Sequence, residues 1–216
     1  MKWFQNAACG AWRRVEAETS SKEVCLWTHT GPKHSQQTSL SVMRVEEDPS
    51  YPDHPERFDS WSQVLCREGL TGRCYWEVER KGEVGIGVTY RGITRRGGGV
   101  DSRLGGNNKS WSLECHDDNS YSVWYNDSRA HIRLPPPVST RVGVYVDRPA
   151  GSLSFYRVSP GVGGSSDTLT HIRTFQTTFT QEDLLPGFAF GFGSGSVWVV
   201  VYDHHHITAN IAKSDN

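Results

Sequence analysis

The residues of this 216-residue chain whose spacing most suggests chemistry are Glu77 and Glu79, in "RCYWEVER". Strand side chains alternate between faces, so the two carboxylates share one face about 7 Å apart, a separation suited to glycoside hydrolysis. Any strand with a solvated side shows the same alternation, and no third acidic residue extends the run, so a solvent-facing strand is the preferred reading. His204, His205 and His206 are metal ligands by type, but consecutive residues on an extended chain point in opposite directions and do not converge on one ion. The glycines of "GEVGIGVTYRG" (82–92) lie in a strand pattern and open no helix, so they lack the aligned N–H groups that cradle phosphate. No Ser or Cys stands on a turn with a His and an acid in a recognisable nucleophile arrangement. The chain therefore reads as a non-enzyme, with no catalytic residue, no cofactor and no metal.

Composition narrows the partners. Hydrophobic residues make up 36% of the chain, below the usual globular share, while Trp, Tyr and Phe number eight each, so burial leans on aromatics and favours sheets. The length suits one sandwich or barrel rather than two domains. The formal net charge is −1, so no global field recruits a nucleic-acid backbone or an anionic membrane. "RGITRRGGGV" is basic but has no aromatic platform for RNA bases and reads as loop decoration. No run approaches the roughly 20 apolar residues of a membrane helix, and "MKWFQNAACGAWRR" lacks the apolar stretch of a signal peptide, so a cytoplasmic location is expected. Cys9, Cys25, Cys66, Cys74 and Cys115 form an odd, widely spaced set without a C-x-x-C, which argues for reduced, partly buried thiols.

The elements that would position any site are strands. From about Trp61 onward, short β-rich runs alternate with turn-rich breaks, the pattern of an all-β sandwich. Cys74, Trp76 and Val78 share an inward face, as do Ile86 and Val88, then Trp111, Leu113 and Cys115, then Tyr121, Val123 and Tyr125. "RVGVYVDRPAGSLSFYRV" (141–158) reads as a hairpin: Val142, Val144 and Val146 run inward, Pro149 and Gly151 turn the chain, and Leu153 and Phe155 run back. Asp147 and Arg148 are then turn residues with solvated charge. "LPGFAFGFGSGSVWVVVYD" places Phe188, Phe190 and Phe192 on one face, followed by a β-branched run, and reads as a late pair of core strands. Residues 91–110, 134–140 and 159–168 are surface loops by their Gly and Pro content, and loops are where binding tends to reside.

"YPDHPERFDSWSQVLCREGLTGRCYWEVE" (51–79) resembles a B30.2 domain, the combined PRY and SPRY module. The resemblance continues in the family's order through "KSWSLEC", "YSVWYND", "LPPPVSTRVGVYVDRPAGSLSFYRV" and "LPGFAFGF", and covers roughly 44–200. It is strongest to the stonustoxin-like subgroup found in fish tripartite-motif and NACHT-type immune proteins. It implies a bent antiparallel β-sandwich of the concanavalin-like jelly-roll type, with loops at one end forming a protein-binding face. The implied division is an unassigned segment 1–43, either disordered or replacing the PRY start, a B30.2 unit 44–202 (PRY tail 44–66, SPRY 67–202), and a tail 203–216. Nothing in 1–43 matches the family's leucine-aspartate-proline opening, and Gly106 stands where members often carry tryptophan after "LG".

Carried over residue by residue, the family's binding face falls on Tyr51, Asp53 and His54, on Tyr90 and Arg91, on Glu114 and His116, and on Gly187 with Phe188. The expected function is recognition of a protein partner, with no nucleic acid and no membrane, as a specificity domain in ubiquitin ligation or innate immune sensing. The competing reading is a carbohydrate-binding or glycoside-hydrolysing sandwich, since a sandwich alone does not decide function.

Overall fold

In a computed structural model, residues 55–66, 69–161, 163, 165–191 and 197–202 are described with their side chains, and five further pieces by backbone alone: Ala7–Ala8, Ala11–Trp12, Val24–Thr30, Thr38–Arg44 and Asp203. The strands in chain order are β1 (Ala7–Ala8), β2 (Ala11–Trp12), β3 (Val24–Thr30), β4 (Thr38–Arg44), β5 (Gln63–Leu65), β6 (Arg73–Lys81), β7 (Val84–Tyr90) and β8 (Ser110–Cys115). They continue as β9 (Tyr121–Tyr125), β10 (Ser128–Ile132), β11 (Arg141–Asp147), β12 (Ser152–Ser159), β13 (Thr168–Gln176), β14 (Leu184–Phe190) and β15 (Trp198–Asp203). A 3-10 turn, Val100–Ser102, interrupts the long break before β8, and no α-helix occurs among the described residues.

Two antiparallel sheets face each other. One has six strands in the order β10-β9-β8-β7-β14-β5, the other seven in the order β13-β12-β11-β6-β15-β4-β3, while β1 and β2 pair with each other. The inward sets expected from alternation meet in one core: Trp76 and Val78, Ile86 and Val88, Trp111 and Leu113, Tyr121 and Val123, Val142 and Val144, and Phe155. Trp111 anchors it, stacked on Tyr125 at 5.3 Å and meeting Tyr90 and Phe179 edge-on at 5.7 and 5.5 Å. Aromatic pairs in these geometries add to the area they bury, which is how a chain short of aliphatics fills its interior.

Three expectations need correction. The late strands do not pair: β14 lies between β7 and β5 in the six-stranded sheet, and β15 lies between β6 and β4 in the other, so the chain crosses the sandwich between them. Phe192 lies outside the described residues. Glu77 does not face solvent; it is 3% exposed, accepts a hydrogen bond from the Tyr75 hydroxyl at 2.9 Å and pairs with Arg141 Nε at 3.3 Å. Tyr75, Tyr145 and Tyr156 form a second buried cluster on that face, which period-two alternation read as solvated. The charges of the 141–158 turn are not solvated either. Asp147 accepts from Arg73 Nε at 2.7 Å and from the Ala150 N–H at 2.9 Å, and Arg148 donates to the carbonyls of Leu70, Thr180 and Glu182.

Candidate functional site: a cleft on the six-stranded sheet

The outward side chains of the six-stranded sheet build a cleft. Gly85 pairs with Ala189 on one side and Glu114 on the other, and Ser112 pairs with Gly87 and Trp124. Small residues at these crossing positions leave a low floor, and the resulting cleft holds about 310 Å³. Gly87 is required there, because a β-carbon would sit 2.1 Å from the Trp111 carbonyl oxygen. Trp61 and Trp124 line its walls, with Arg103, Glu83 and Glu114 among them.

Buried polar contacts hold the loop that carries Arg103. The Gln63 side chain donates to the Ser102 carbonyl and accepts from the Leu104 N–H at 3.0 Å. The Asn107 amide donates to the carbonyls of Val100, Asp101 and Arg103 at 3.1, 3.1 and 2.9 Å. Gly105, at φ 83°, lets the chain lie against Trp124 and Ser112, where a β-carbon would fall 2.7 and 2.9 Å from their β-carbons. The Arg103 guanidinium thereby rests 4.2 Å from the centroid of Trp124 and 5.4 Å from that of Trp61. Cation–π contacts hold it there without using its N–H groups, and among the described residues none of these makes a hydrogen bond.

The opposite rim is acidic. Glu114 accepts from Trp124 Nε1 at 2.9 Å and lies 4.0 Å from Arg129 and 3.9 Å from His116 Nε2, while His116 Nδ1 lies 3.6 Å from Glu83. His116 Nε2 also meets the Ser122 hydroxyl at 2.8 Å. The cleft thus offers tryptophan walls with both guanidinium and carboxylate groups beside them: Arg103 and Arg129 over Trp124, and Glu83 and Glu114 in its lining. That arrangement suits a polypeptide segment carrying both signs of charge. Burial pushes the Cys115 thiol up to about 11, so it stays protonated beneath this sheet. Among the described residues no group of three His, Cys, Asp or Glu side chains is placed to hold a metal, and His204, His205 and His206 lie outside them.

The positions carried over from the family resemblance do not form one patch. Glu114 lines the cleft and His116 borders it. Tyr90 and Arg91 lie at the other end of β7, about 20 Å away by strand rise. There Tyr90 is buried against Trp111 and its hydroxyl accepts from the Thr180 N–H, and Arg91 pairs with Asp183 at 3.0 Å. Gly187 lies beneath Leu65 and Leu104, and Phe188 is 1% exposed in the core, so neither presents a side chain to a partner. Tyr51, Asp53 and His54 lie outside the described residues. Sequence reading missed Trp61, Arg103 and Trp124. Trp124 carried a signal, since it falls out of phase with Tyr121, Val123 and Tyr125 and so points outward; the pairing of its neighbours came only from the register.

The SPRY domain family model matches residues 73–201, and that of the SPRY-associated domain, PRY, matches 38–70. Neoverrucotoxin subunit alpha of Synanceia verrucosa is 43% identical over 143 residues, covering 66% of this chain and 19% of the toxin subunit. Tripartite motif-containing protein 16 of Mus musculus is 36% identical over 133 residues, covering 61% and 22%. The chain thus spans about a fifth of the length of these curated relatives. The stonustoxin structure superposes with a TM-score of 0.64 at 31% identity, covering 87% of this chain and 27% of that one. The TRIM65 PSpry domain crystal structure gives a TM-score of 0.63 at 23% identity, covering 88% and 86%, a likeness of fold.

Proposed function

This chain belongs to the SPRY domain family, with a PRY segment ahead of the SPRY part, and from that membership we propose that it is a protein-interaction module whose contact surface is the Trp61–Trp124 cleft. The observation that carries the reading is Arg103, whose guanidinium lies over Trp124 and Trp61 in a cleft that Glu83 and Glu114 also line. Tryptophan and arginine in a desolvated pocket are the residue types that dominate binding energy at protein interfaces. The module would confer specificity on an effector lying elsewhere in a longer polypeptide or on a partner. A role in ubiquitin ligation or innate immune sensing rests on the likeness to the tripartite-motif relative, and the proposal includes a cytoplasmic location. Glycoside hydrolysis through Glu77 and Glu79 loses its basis, because Glu77 is buried and already paired with Arg141.

The test uses peptides selected by display against the full chain. Trp124→Ala and Arg103→Ala are each expected to weaken the selected peptides at least roughly tenfold. Arg173→Ala, an exposed position on β13 of the other sheet, is expected to leave them unchanged. Binding that survives both cleft substitutions, or a glycan array that yields ligands where display yields none, would overturn the reading.

A further inference from the structure

Two arginines point between the sheets. On β6 the inward positions Cys74, Trp76 and Val78 are followed by Arg80, and on β12 Leu153 and Phe155 are followed by Arg157 and Ser159. The register brings them together: Val78, Val142 and Arg157 form one cross-strand row, and Arg80 lies one inward step further toward the same end, its N–H bonded to the Thr140 carbonyl. The facing sheet presents Cys115 and Tyr121, which pair with each other across β8 and β9. Arg80 and Arg157 are each 4% exposed, and Tyr121 and Cys115 are fully buried.

Their partners leave a net charge. Arg80 donates to the carbonyls of Gly82 and His116, and Arg157 to that of Pro135. Carbonyls supply only partial charge. Among the described residues neither guanidinium has a carboxylate partner, and Arg80 Nε, Arg157 Nε, Tyr121 Oη and Ser159 Oγ are all buried without a hydrogen bond. The nearby ionisable groups do not neutralise the pair. Burial holds the Cys115 thiol protonated, at about 11, against the charge of Arg80 and a side-chain hydrogen bond to it, and burial, followed by Cys115, raises the Tyr121 phenol against the pull of Arg80 and Arg157. A buried lysine would escape such a site by losing its proton, but a guanidinium keeps its charge.

We infer that this end of the sandwich is a binding site for a small inorganic anion of halide size, held between the sheets by the Nε–H groups of Arg80 and Arg157 and the hydroxyls of Tyr121 and Ser159. A monoanion there would offset one of the two guanidinium charges and offer an acceptor to the orphaned N–H and O–H groups. The site is tied to the cleft, because Arg80 also bonds the carbonyl of His116, whose side chain stands beside Glu83 and Glu114.

Thermal unfolding of the full chain in sodium bromide and in sodium gluconate, at equal ionic strength, tests this, since a ligand bound only by the folded state raises the midpoint in a saturable way. The midpoint is expected to rise with bromide and level off, whereas Tyr121→Phe and Ser159→Ala each reduce the bromide-dependent rise and stay folded in gluconate. Bromide-soaked crystals are expected to show an anomalous peak between Arg80 and Arg157. Equal midpoints in the two salts, water in place of the anomalous peak, or a bromide effect undiminished in both variants would overturn the inference; the last would mark a general salt effect at the surface.

Discussion

At the head of the β11–β12 turn, Asp147 is mostly buried yet ionised. Burial works to raise its pKa, but the hydrogen bonds from Arg73 and the Ala150 N–H, with the Arg73 charge, outweigh it and hold the carboxyl below its ordinary value of 3.8. A carboxyl depressed in the folded state stabilises the protein above its unfolded pKa, and that contribution is lost as pH falls through the folded value. Asp147→Asn is therefore expected to lower the urea midpoint at pH 7, with the two midpoints converging as the pH is taken below 3.8. A gap that stays constant from pH 7 to strongly acidic solution would show that the charge contributes nothing. The residue types of the turn announced the hairpin, but Asp147 and Arg148 read as solvated because their partners, Arg73 and the carbonyls of Leu70, Thr180 and Glu182, are distant in sequence.

The turn that Asp147 stabilises also fastens other elements. Arg148 donates at 2.9 Å to Leu70, ahead of β6, and at 2.7 and 3.1 Å to Thr180 and Glu182, ahead of β14, so one side chain joins the approaches to strands of opposite sheets. Arg148→Ala is expected to cost about 1–2 kcal/mol, since hydrogen bonds to charged groups contribute more than neutral ones but these are partly exposed. Hydrogen exchange should quicken at the backbone N–H groups of 180–184 while the centre of β11 keeps its protection. Uniform loss of protection across the hairpin would instead mark Arg148 as part of the core. The loop carrying Arg103 works on the same principle: Gln63 and Asn107 hold it, and Gly105 lets it close on Trp124.

At the scale of the whole molecule, the seven-stranded sheet is completed from the N-terminal side. β4 pairs with β15, and β3 pairs with β4, so strands drawn from residues 24–44 cover a strand from the far end of the chain. Removing residues 1–44 would leave β15 with one unpaired ladder edge beside the buried Val199 and Val201. The shortened chain is expected to unfold at least several degrees lower than the full chain, and to self-associate on heating, as followed by near-UV circular dichroism and light scattering. Identical cooperative transitions would show that β3 and β4 contribute nothing to stability.

The sequence by itself determined the family, the strands β6–β9, β11 and β12 with their inward faces, and the strand character of β14 and β15, because period-two alternation and turn chemistry are local properties of the chain. Extended one step, the same alternation in "RCYWEVER" and "LSFYRV" puts Arg80 and Arg157 inside, so half of the proposed anion site was legible in the residues. Tertiary structure alone decided which strands became neighbours. It separated β14 from β15, covered Glu77 with Tyr75, and set Gly85 beside Ala189 to floor the cleft. Alternation says which way a side chain points, whereas register and crossover, which join residues scores of positions apart, say what it meets there.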